Sequence, residues 1–391
     1  MAHAPLTVEA LLARARKETG LKNLGTTAFD PPLRKLVDAT NAIMDNIHDK
    51  GRVRAEEWIV RLLVNRLRIQ DDIEKHPEIL SQNILPPSAI IGLPRTGSSK
   101  LQHLLAAGHG FLEPLFWQLW NPAPFPGNHP VFDKPVSDPR IQAAVNFVAS
   151  FAEAAPDAHK GHVRMVEQAD EECYLLDLSL QTPSTISFIP AYDWVEYIER
   201  LDKTDMYTYF RTCLQYLQWQ FHPNANKPWL LKYPANLGNE TYMCRAFPGI
   251  KFVVTHRDPF PVMASLSQLI SANQMFTVQN RDLNRFSIWA FEEFASEMDR
   301  HLAWRDANPD VEVLDVSFKD IVHDGLGVAR RIYTFFGAEW TTEAEAKIRD
   351  WLDENERQKD KLEYSFDDIA YTKEDCHKRF ADYYERFSHL F

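Results

Sequence analysis

The residues with the clearest capacity for chemistry form a loop from Gly92 to Ser99 with the sequence Gly-Leu-Pro-Arg-Thr-Gly-Ser-Ser. This loop keeps the glycine frame of a phosphate-binding loop, G-x-x-x-x-G-K-[ST], but Ser98 stands where that pattern has its lysine. Glycines let backbone N–H groups approach an anion, and a helix that follows adds the positive end of its dipole. The frame therefore predicts a cradle for a phosphate-like group, with Arg95 as the cation inside the loop.

Two alternatives to this interpretation remain open on the loop alone. In nucleoside-triphosphate enzymes the loop lysine reaches the β and γ phosphates and the last hydroxyl binds magnesium. The glycine frame is typical of a P-loop kinase or ATPase, whereas Ser98 in place of the lysine counts against that class. An ordinary strand-to-helix turn explains the glycines equally well. A second anion site elsewhere in the sequence is needed to distinguish a ligand-binding loop from such a turn.

A second candidate site for an anion spans Val254 to Pro259, where an apolar run leads into a helix pattern. Pro259 suits the first turn of that helix, and Ser265 lies eight positions beyond Arg257, about two turns along it. The guanidinium and the hydroxyl can converge on one phosphate through charge-assisted hydrogen bonds. The alternative is an ordinary ion pair between Arg257 and a carboxylate such as Asp258.

Short apolar runs indicate the strands that must position both loops. They are Ala89-Ile90-Ile91, Trp229-Leu230-Leu231, Phe252-Val253-Val254 and Val311 to Val316. Helix patterns alternate with them, at Ser98 to Ala107 and at Leu237 to Phe247. This alternation predicts an α/β fold with a P-loop-like parallel sheet flanked by helices, in which ligands bind at the carboxyl ends of the strands.

The chain before the first strand has a different pattern. From Leu6 to Ile79 the apolar residues recur at spacings of three and four, which is typical of helices, and Pro86 and Pro87 end the pattern. We therefore expect a helical N-terminal extension over residues 1–85, packed on an α/β domain over residues 86–391.

Composition and charge exclude several classes of protein. The 391 residues carry a formal net charge of −12, which argues against a nucleic-acid partner. No stretch reaches the roughly 20 apolar residues of a membrane span, and the N-terminus lacks a secretory h-region. The four cysteines are scattered without the spacing of a zinc site or disulfide framework. These features predict a cytoplasmic globular protein without a zinc site built from cysteines, and they do not define its oligomeric state.

Together, the two loops resemble the signatures for 3′-phosphoadenosine 5′-phosphosulfate (PAPS) in sulfotransferases, especially the bacterial sulfotransferase-like family with a G-L-P-R-T-G-T-T loop. The second signature reads H-R-D-P-x-x-V-x-x-S at His256 to Ser265. Further similarities are Leu231 to Pro234 with the family's L-K-S-P, Asp170 to Cys173 with its E-E-C stretch, and Tyr364 to Asp368 with its Y-S-L-E-D. The resemblance spans most of the chain and implies sulfuryl transfer from PAPS to a hydroxyl group, without a metal.

The resemblance also implies which residues bind PAPS. The matching positions are Arg95, Thr96, Gly97, Ser98 and Ser99 for the 5′-phosphosulfate, and Arg257 and Ser265 for the 3′-phosphate. Lys359 and Lys361, beside the C-terminal segment, are candidates to close over the cofactor, although a solvated basic turn is an equal alternative. After transfer the product is adenosine 3′,5′-bisphosphate (PAP).

Sulfuryl transfer needs cations on the leaving oxygen and a base for the acceptor proton. Arg95 and Lys232 are the candidate cations. Cytosolic members carry a histidine two residues beyond the lysine, where this chain has Pro234, and other branches have Trp-Glu where it has Trp117-Gln118. The candidate bases that remain are His162, Glu171 and Glu172, each of which could instead be a surface charge or a helix cap.

The acceptor is expected to be a small-molecule or lipid-like hydroxyl compound. The aromatic stretch from Phe116 to Phe125 could shape an apolar acceptor pocket, and core packing explains the same residues equally well. Trp219 and Trp229 are interpreted as core residues, and His256 as a structural histidine at a strand end. A protein that binds PAPS or another nucleotide without transferring a group is a further alternative, since Gln118 and Pro234 replace the usual bases.

Overall fold

Four short strands form the centre of the structure, a computed structural model that describes residues 5–127, 138–355 and 365–391. They are β1 (Ser88–Gly92), β2 (Leu230–Lys232), β3 (Lys251–His256) and β4 (Val313–Ser317). The strand order is β2-β1-β3-β4, and the three ladders are parallel. The predicted α/β class with a parallel sheet is therefore confirmed.

Successive residues of the strands belong to two separate hydrophobic cores. Ile90, Leu230, Val253 and Val316 belong to the smaller core. Ala89, Ile91, Leu231, Phe252 and Val254 belong to the larger core. Because neighbouring side chains in a strand point to opposite faces, a sheet that is covered on both faces needs apolar residues at every position. This explains why the strands are continuous apolar runs in the sequence.

Three helices make up the predicted helical lead-in. They are α1 (Val8–Thr19), α2 (Asp30–Ala42) and α3 (Asp49–Lys75). Thr7 caps α1 by accepting a hydrogen bond from the Ala10 N–H, and Gly20 ends it in the left-handed conformation. Buried residues such as Leu33 and Leu62 join the larger core, so the amphipathic pattern predicted the buried face of these helices.

The remaining helices follow the lead-in, and many of their apolar residues belong to the cores on the two faces of the sheet. Between β1 and β2 lie α4 (Ser98–Ala107), α5 (Phe116–Trp120), α6 (Pro139–Ala154), α7 (Pro156–Gly161), α8 (Cys173–Leu176), α9 (Tyr192–Ile198) and α10 (Thr204–Phe221). Between β2 and β4 lie α11 (Glu240–Ala246), α12 (Pro259–Gln274) and α13 (Leu283–Ala307). After β4 come α14 (Phe318–His323), α15 (Gly325–Phe336), α16 (Thr342–Asn355), α17 (Lys373–Arg379) and α18 (Ala381–Phe387). Within the described ranges, no helix is long and apolar enough to cross a lipid bilayer.

Two element boundaries differ from the sequence-based expectation for local reasons. The helix expected from Leu237 begins at Glu240, because a 3₁₀ turn at Pro234–Asn236 and the left-handed Gly238 come first. The strand expected from Val311 begins at Val313, because the Val311 N–H closes a turn onto the Asn308 carbonyl. By contrast, α4 has the bounds that its apolar spacing predicted.

Gly92, at the end of β1, generates a prediction about stability. Its φ is +135°, and an added Cβ would lie 2.6 Å from the carbonyl oxygen of Thr255. We expect Gly92→Ala to lower the free energy of unfolding by about 2 kcal/mol or more, because backbone strain and a clash add up. Urea denaturation measures this change.

Gly337→Ala is the matched control for this prediction. Gly337 also has a positive φ, +74°, but an added Cβ would meet nothing within 4 Å. It therefore isolates the strain alone, which is roughly 1 kcal/mol. If Gly92→Ala and Gly337→Ala lowered the free energy of unfolding equally, the result would contradict a close approach of Thr255 to Gly92.

Candidate active site

The first loop turns tightly between β1 and α4. Arg95 and Gly97 both have positive φ, +64° and +86°, and the chain enters α4 at Ser98. Thr96 lies fully buried beneath the loop, where its hydroxyl donates to the Leu93 carbonyl at 2.6 Å and hydrogen-bonds with Thr255. The Thr96 side chain thus ties the loop to the sheet and leaves any ligand contact at this position to the backbone.

The N-terminus of α4 is suited to an anion. No side chain in the described structure caps the first turn of α4, whose N-cap residue is Gly97. Ser98 and Ser99 line a pocket at this helix end, so their hydroxyls lie beside N–H groups that have no intrahelical acceptor. The helix dipole adds positive potential at the same point.

The second motif braces the first loop. One Arg257 Nη donates to the Arg95 carbonyl at 2.8 Å, and the Arg257 guanidinium lies 4.2 Å from the Phe318 ring centroid. The Arg95 Nε donates to the Ser265 Oγ at 3.2 Å. Asp258, the alternative partner of Arg257, instead accepts from the Phe260 N–H and caps α12. Residues from both predicted anion sites therefore lie in direct contact.

Lys232 reaches the loop from the other side. It is the last residue of β2, it pairs in register with Ile90, and it is 1% exposed. Its Nζ donates to the Ser99 Oγ at 3.0 Å and forms an ion pair with Glu171 at 2.5 Å. A buried ammonium group needs such partners because desolvation of an unpaired charge costs several kcal/mol.

The neighbouring carboxylates Glu171 and Glu172 have different surroundings. Glu171 lines the pocket. Glu172 is fully buried, and its two oxygens accept from the Lys232 N–H and the Asn236 side-chain amide, both at 2.7 Å. Burial raises the pKa of Glu172 to about 7. Glu172 thus anchors the end of β2, whereas Glu171 faces the space where a substrate could bind.

His162 lies on the pocket wall beside Arg164. Burial lowers the pKa of His162 well below its usual range, and the nearby cations Arg164, Lys232 and Arg95 lower it further. The imidazole is therefore neutral near pH 7 and can accept a hydrogen bond. The Arg164 Nε donates to the Tyr174 hydroxyl at 2.9 Å, which holds that guanidinium against the wall.

One pocket connects these polar groups to an apolar wall. Its polar end contains Arg95, Ser98 and Ser99. The apolar wall is built from α12 and α13 by Leu266, Leu269, Ile270, Phe286, Trp289 and Phe294. Such a combination of many apolar side chains and a few polar groups is typical of small-molecule sites.

The aromatic stretch from Phe116 to Phe125 does not line this pocket. Phe116 and Trp120 are 0% and 7% exposed, belong to the larger core, and stack with centroids 6.0 Å apart. Core packing, the alternative given above, is therefore the interpretation that the structure supports. The Gln118 amide oxygen accepts from the Leu115 N–H within this core.

The other residues singled out in the sequence lie in the core, in the pocket wall or outside the described residues. Trp219 and Trp229 are buried core residues, as predicted. Pro234, the proline of the segment that resembles L-K-S-P, lines the pocket. Lys359 and Lys361, the proposed closing lysines, lie outside the described residues.

Sequence reasoning missed the α12–α13 wall and Arg164. The apolar residues of α13 have helical spacing, and such a pattern predicts a buried face without telling a core from a pocket. Contacts such as Lys232 to Ser99 join residues 133 positions apart, so no local pattern signals them. Arg164 carries no motif in the sequence.

The donor groups of the site fit a ligand with several anionic oxygens. Two guanidinium groups, one ammonium group and three hydroxyls meet around the loop, on Arg95, Arg257, Lys232, Ser98, Ser99 and Ser265. Phosphate and sulfate groups are acceptors that such donors bind in proteins. In the part of the chain that the structure describes, no group of three or more His, Cys, Asp or Glu side chains is arranged for a metal ion.

The environment of His162 generates a prediction about pH. The unfolded chain has an ordinary histidine pKa of about 6.5, and the folded pKa is lower, so unfolding takes up a proton in acid. The stability that His162 contributes is therefore present above about pH 6.5 and lost as the pH falls below it. In His162→Gln, we expect a smaller drop in unfolding temperature between about pH 7 and pH 5 than in the wild type, by thermal denaturation.

His389→Gln provides a control at an exposed histidine. It should show the wild-type drop in unfolding temperature. A wild-type drop in His162→Gln as well would contradict a lowered pKa of the imidazole at position 162.

Comparisons with known proteins agree with this geometry. The sequence profile of the sulfotransferase family matches residues 87–342, about two thirds of the chain. Comparison with curated protein sequences gives no match.

Two solved structures share the fold along nearly the whole chain. Sulfotransferase STF9 from Mycobacterium avium is similar with a TM-score of 0.85 and 24% identity, over 99% of this chain and 98% of that chain. Sulfotransferase STF1 from Mycobacterium tuberculosis H37Rv is similar with a TM-score of 0.78 and 24% identity, over 97% of this chain and 99% of that chain. With the family match across both loops, Lys232 and Glu171, the chain belongs to the sulfotransferase family and is a PAPS-dependent sulfotransferase.

Proposed function

We propose that this enzyme transfers the sulfuryl group to a hydroxyl of a small-molecule or lipid-like acceptor. The observation that carries the proposal is the continuity of one pocket, from Ser98 and Ser99 at the start of α4 to the apolar wall of α12 and α13. An apolar acceptor gains free energy by leaving water for this wall, at roughly 25 cal/mol per Å² of buried apolar surface. Its hydroxyl would then lie at the polar end.

The two anion sites divide the donor between them in this proposal. Arg95, Gly97, Ser98, Ser99 and the Thr96 backbone would bind the 5′-phosphosulfate. Arg257 and Ser265 would bind the 3′-phosphate, as their contacts with Arg95 support. Lys361 stays a prediction for closure over the donor.

Lys232 and Arg95 have the position and charge to stabilise the leaving oxygen. The donor, when bound, supplies a sulfuryl group that is activated for in-line displacement. Because Lys232 is almost fully buried, its charge acts in a medium of low dielectric, where it stabilises developing negative charge more than it would in water. Ser99, which accepts a hydrogen bond from the Lys232 Nζ, orients that charge toward the start of α4.

We propose Glu171 as the general base and His162 as the residue that orients the acceptor hydroxyl. Both side chains line the pocket, whereas the two oxygens of Glu172 already accept hydrogen bonds from the Lys232 N–H and the Asn236 side chain. The strongly lowered pKa of His162 makes it a weak base that still accepts a hydrogen bond. When Glu171 takes the proton it loses its charge, and Lys232 is then free to turn toward the leaving oxygen.

The proposed organisation of the chain keeps the helical extension at residues 1–85 and the α/β domain at residues 86–391. Residues of α1 to α3 and of β1 share the larger core, which supports close packing of the extension on the domain. A cytoplasmic location is also proposed, because Cys173, Cys213, Cys244 and Cys376 are all free thiols.

Replacement of Glu171 tests the proposed base. We expect Glu171→Gln to lower kcat at least about 100-fold, because an amide cannot take the proton from the hydroxyl of the acceptor substrate. The measurement is PAP release with saturating PAPS and a panel of alcohols, phenols and long-chain hydroxy compounds, with products identified by mass spectrometry. Glu167→Gln, at an exposed position of the same segment, should retain wild-type kcat. Wild-type turnover in Glu171→Gln would exclude this residue as the base.

Replacement of Arg257 tests the proposed 3′-phosphate site. Arg257→Met should weaken PAP binding roughly 10- to 100-fold, since it removes a charge-assisted contact. Isothermal titration calorimetry with PAP measures this loss, and Arg245→Met, at an exposed arginine of α11, serves as the control. Unchanged affinity in Arg257→Met would show that the 3′-phosphate binds elsewhere.

A further inference from the structure

The C-terminal helix α18 packs against the strand end that carries Arg257. Tyr383, Tyr384 and Phe387 project from α18 toward this strand end. Tyr383 is 1% exposed, and none of the three side chains has a role in the chemistry proposed above. Their contacts fall on the residues immediately before and after Arg257.

Tyr384 holds the residue after Arg257. Its hydroxyl donates to Asp258 Oδ1 at 2.6 Å. The same Asp258 oxygen accepts from the Phe260 N–H at 3.0 Å and so caps α12. Tyr384 therefore fixes the carboxylate that sets the start of α12, the helix that carries Ser265.

Tyr383 and Phe387 hold the residue before Arg257. His256 is fully buried, its Nδ1 lies 3.1 Å from the Tyr383 hydroxyl, and its ring stacks on Phe387 with centroids 4.3 Å apart. On the other side, the His256 Nε2 lies 2.8 Å from Asp315, which Arg305 binds through both carboxylate oxygens. Each ring atom of His256 that can hydrogen-bond has a partner.

These contacts define which of the three linked groups, Asp315, His256 and Tyr383, carries each proton. Burial opposes the charge of Asp315, but hydrogen bonds from His256 and Arg305 lower its pKa to about 2. Burial lowers the pKa of His256, so its imidazole is neutral near pH 7. A carboxylate only accepts hydrogen bonds, so Nε2 of His256 carries the proton and Nδ1 accepts from the Tyr383 hydroxyl.

We propose that α18 is a positioning element for donor binding, in which Tyr383 and Tyr384 hold His256 and Asp258 so that Arg257 between them is preorganised for a phosphate. This inference rests on the proposed role of Arg257. With both neighbours tethered, Arg257 has less freedom to lose on binding, and preorganised groups bind with higher affinity. Tyr383 and Tyr384 touch no reacting atom and are positioning residues.

The test is PAP binding by full-length Tyr383→Phe, Tyr384→Phe and the double variant. Each single change removes one hydroxyl and keeps the ring, including the stacking of Tyr384 on His377 at 4.0 Å. We expect roughly fivefold weaker PAP binding in each single variant and a larger loss in the double variant. In steady-state assays the KM for PAPS should rise by a similar factor, with the acceptor KM unchanged.

Tyr216→Phe is the matched control for a purely structural loss. The Tyr216 hydroxyl also donates to a carboxylate, Asp72, but between α10 and α3. This variant should lose thermal stability and keep wild-type PAP affinity.

The outcomes separate this inference from the proposed function. Wild-type PAP affinity in Tyr384→Phe, with a loss in Arg257→Met, would overturn the positioning role and leave the 3′-phosphate site intact. Absence of PAP binding by the wild-type chain would overturn the proposed donor site and this inference with it. If Tyr383→Phe does not fold, the result for Tyr384→Phe decides alone, because Tyr384 is less buried than Tyr383 and its replacement disturbs the fold less.

Discussion

In a parallel sheet the carboxyl ends of all strands meet at one edge, and here β1 lies between β2 and β3. The ladders pair Ile90 with Lys232 on one side and with Val253 on the other. Lys232 and Arg257, at or just beyond the ends of the two strands that flank β1, therefore approach the loop after β1 from opposite sides. With a different strand order the same residues would lie apart, and the site would not form.

The positive charge at this edge of the sheet is confined to a few residues, and burial of the Lys232 charge costs desolvation free energy. The chain as a whole is acidic, with a formal net charge of −12, yet Arg95, Arg257 and Lys232 meet within one small region. A buried cation is stable only with partners, and Glu171 pairs with the buried ammonium group of Lys232. The half-buried Arg257 donates to the Arg95 carbonyl.

The segments far from the loop in sequence complete the site through packing. The segment with Glu171 is fastened to α4, where Gln102 and His103 contact the carbonyls of Asp170 and Ala169 at 3.1 and 2.9 Å. The last helix fastens both neighbours of Arg257. The last helix thus supports the edge of the sheet through direct hydrogen bonds, whereas the first three helices share the larger core with β1.

The sequence by itself determined the class of fold and both loops, because glycine frames, apolar runs and charged strand ends are local patterns. It identified the donor through the resemblance of the two loops to the sulfotransferase signatures. It also predicted α4 to the residue. Only the tertiary structure distinguished Glu171, in the pocket, from Glu172, beneath it, since adjacent residues have the same local pattern and differ only in what packs against them. For the same reason the apolar wall came from α12 and α13 rather than from the stretch Phe116 to Phe125, because apolar spacing indicates a buried face without specifying what covers it.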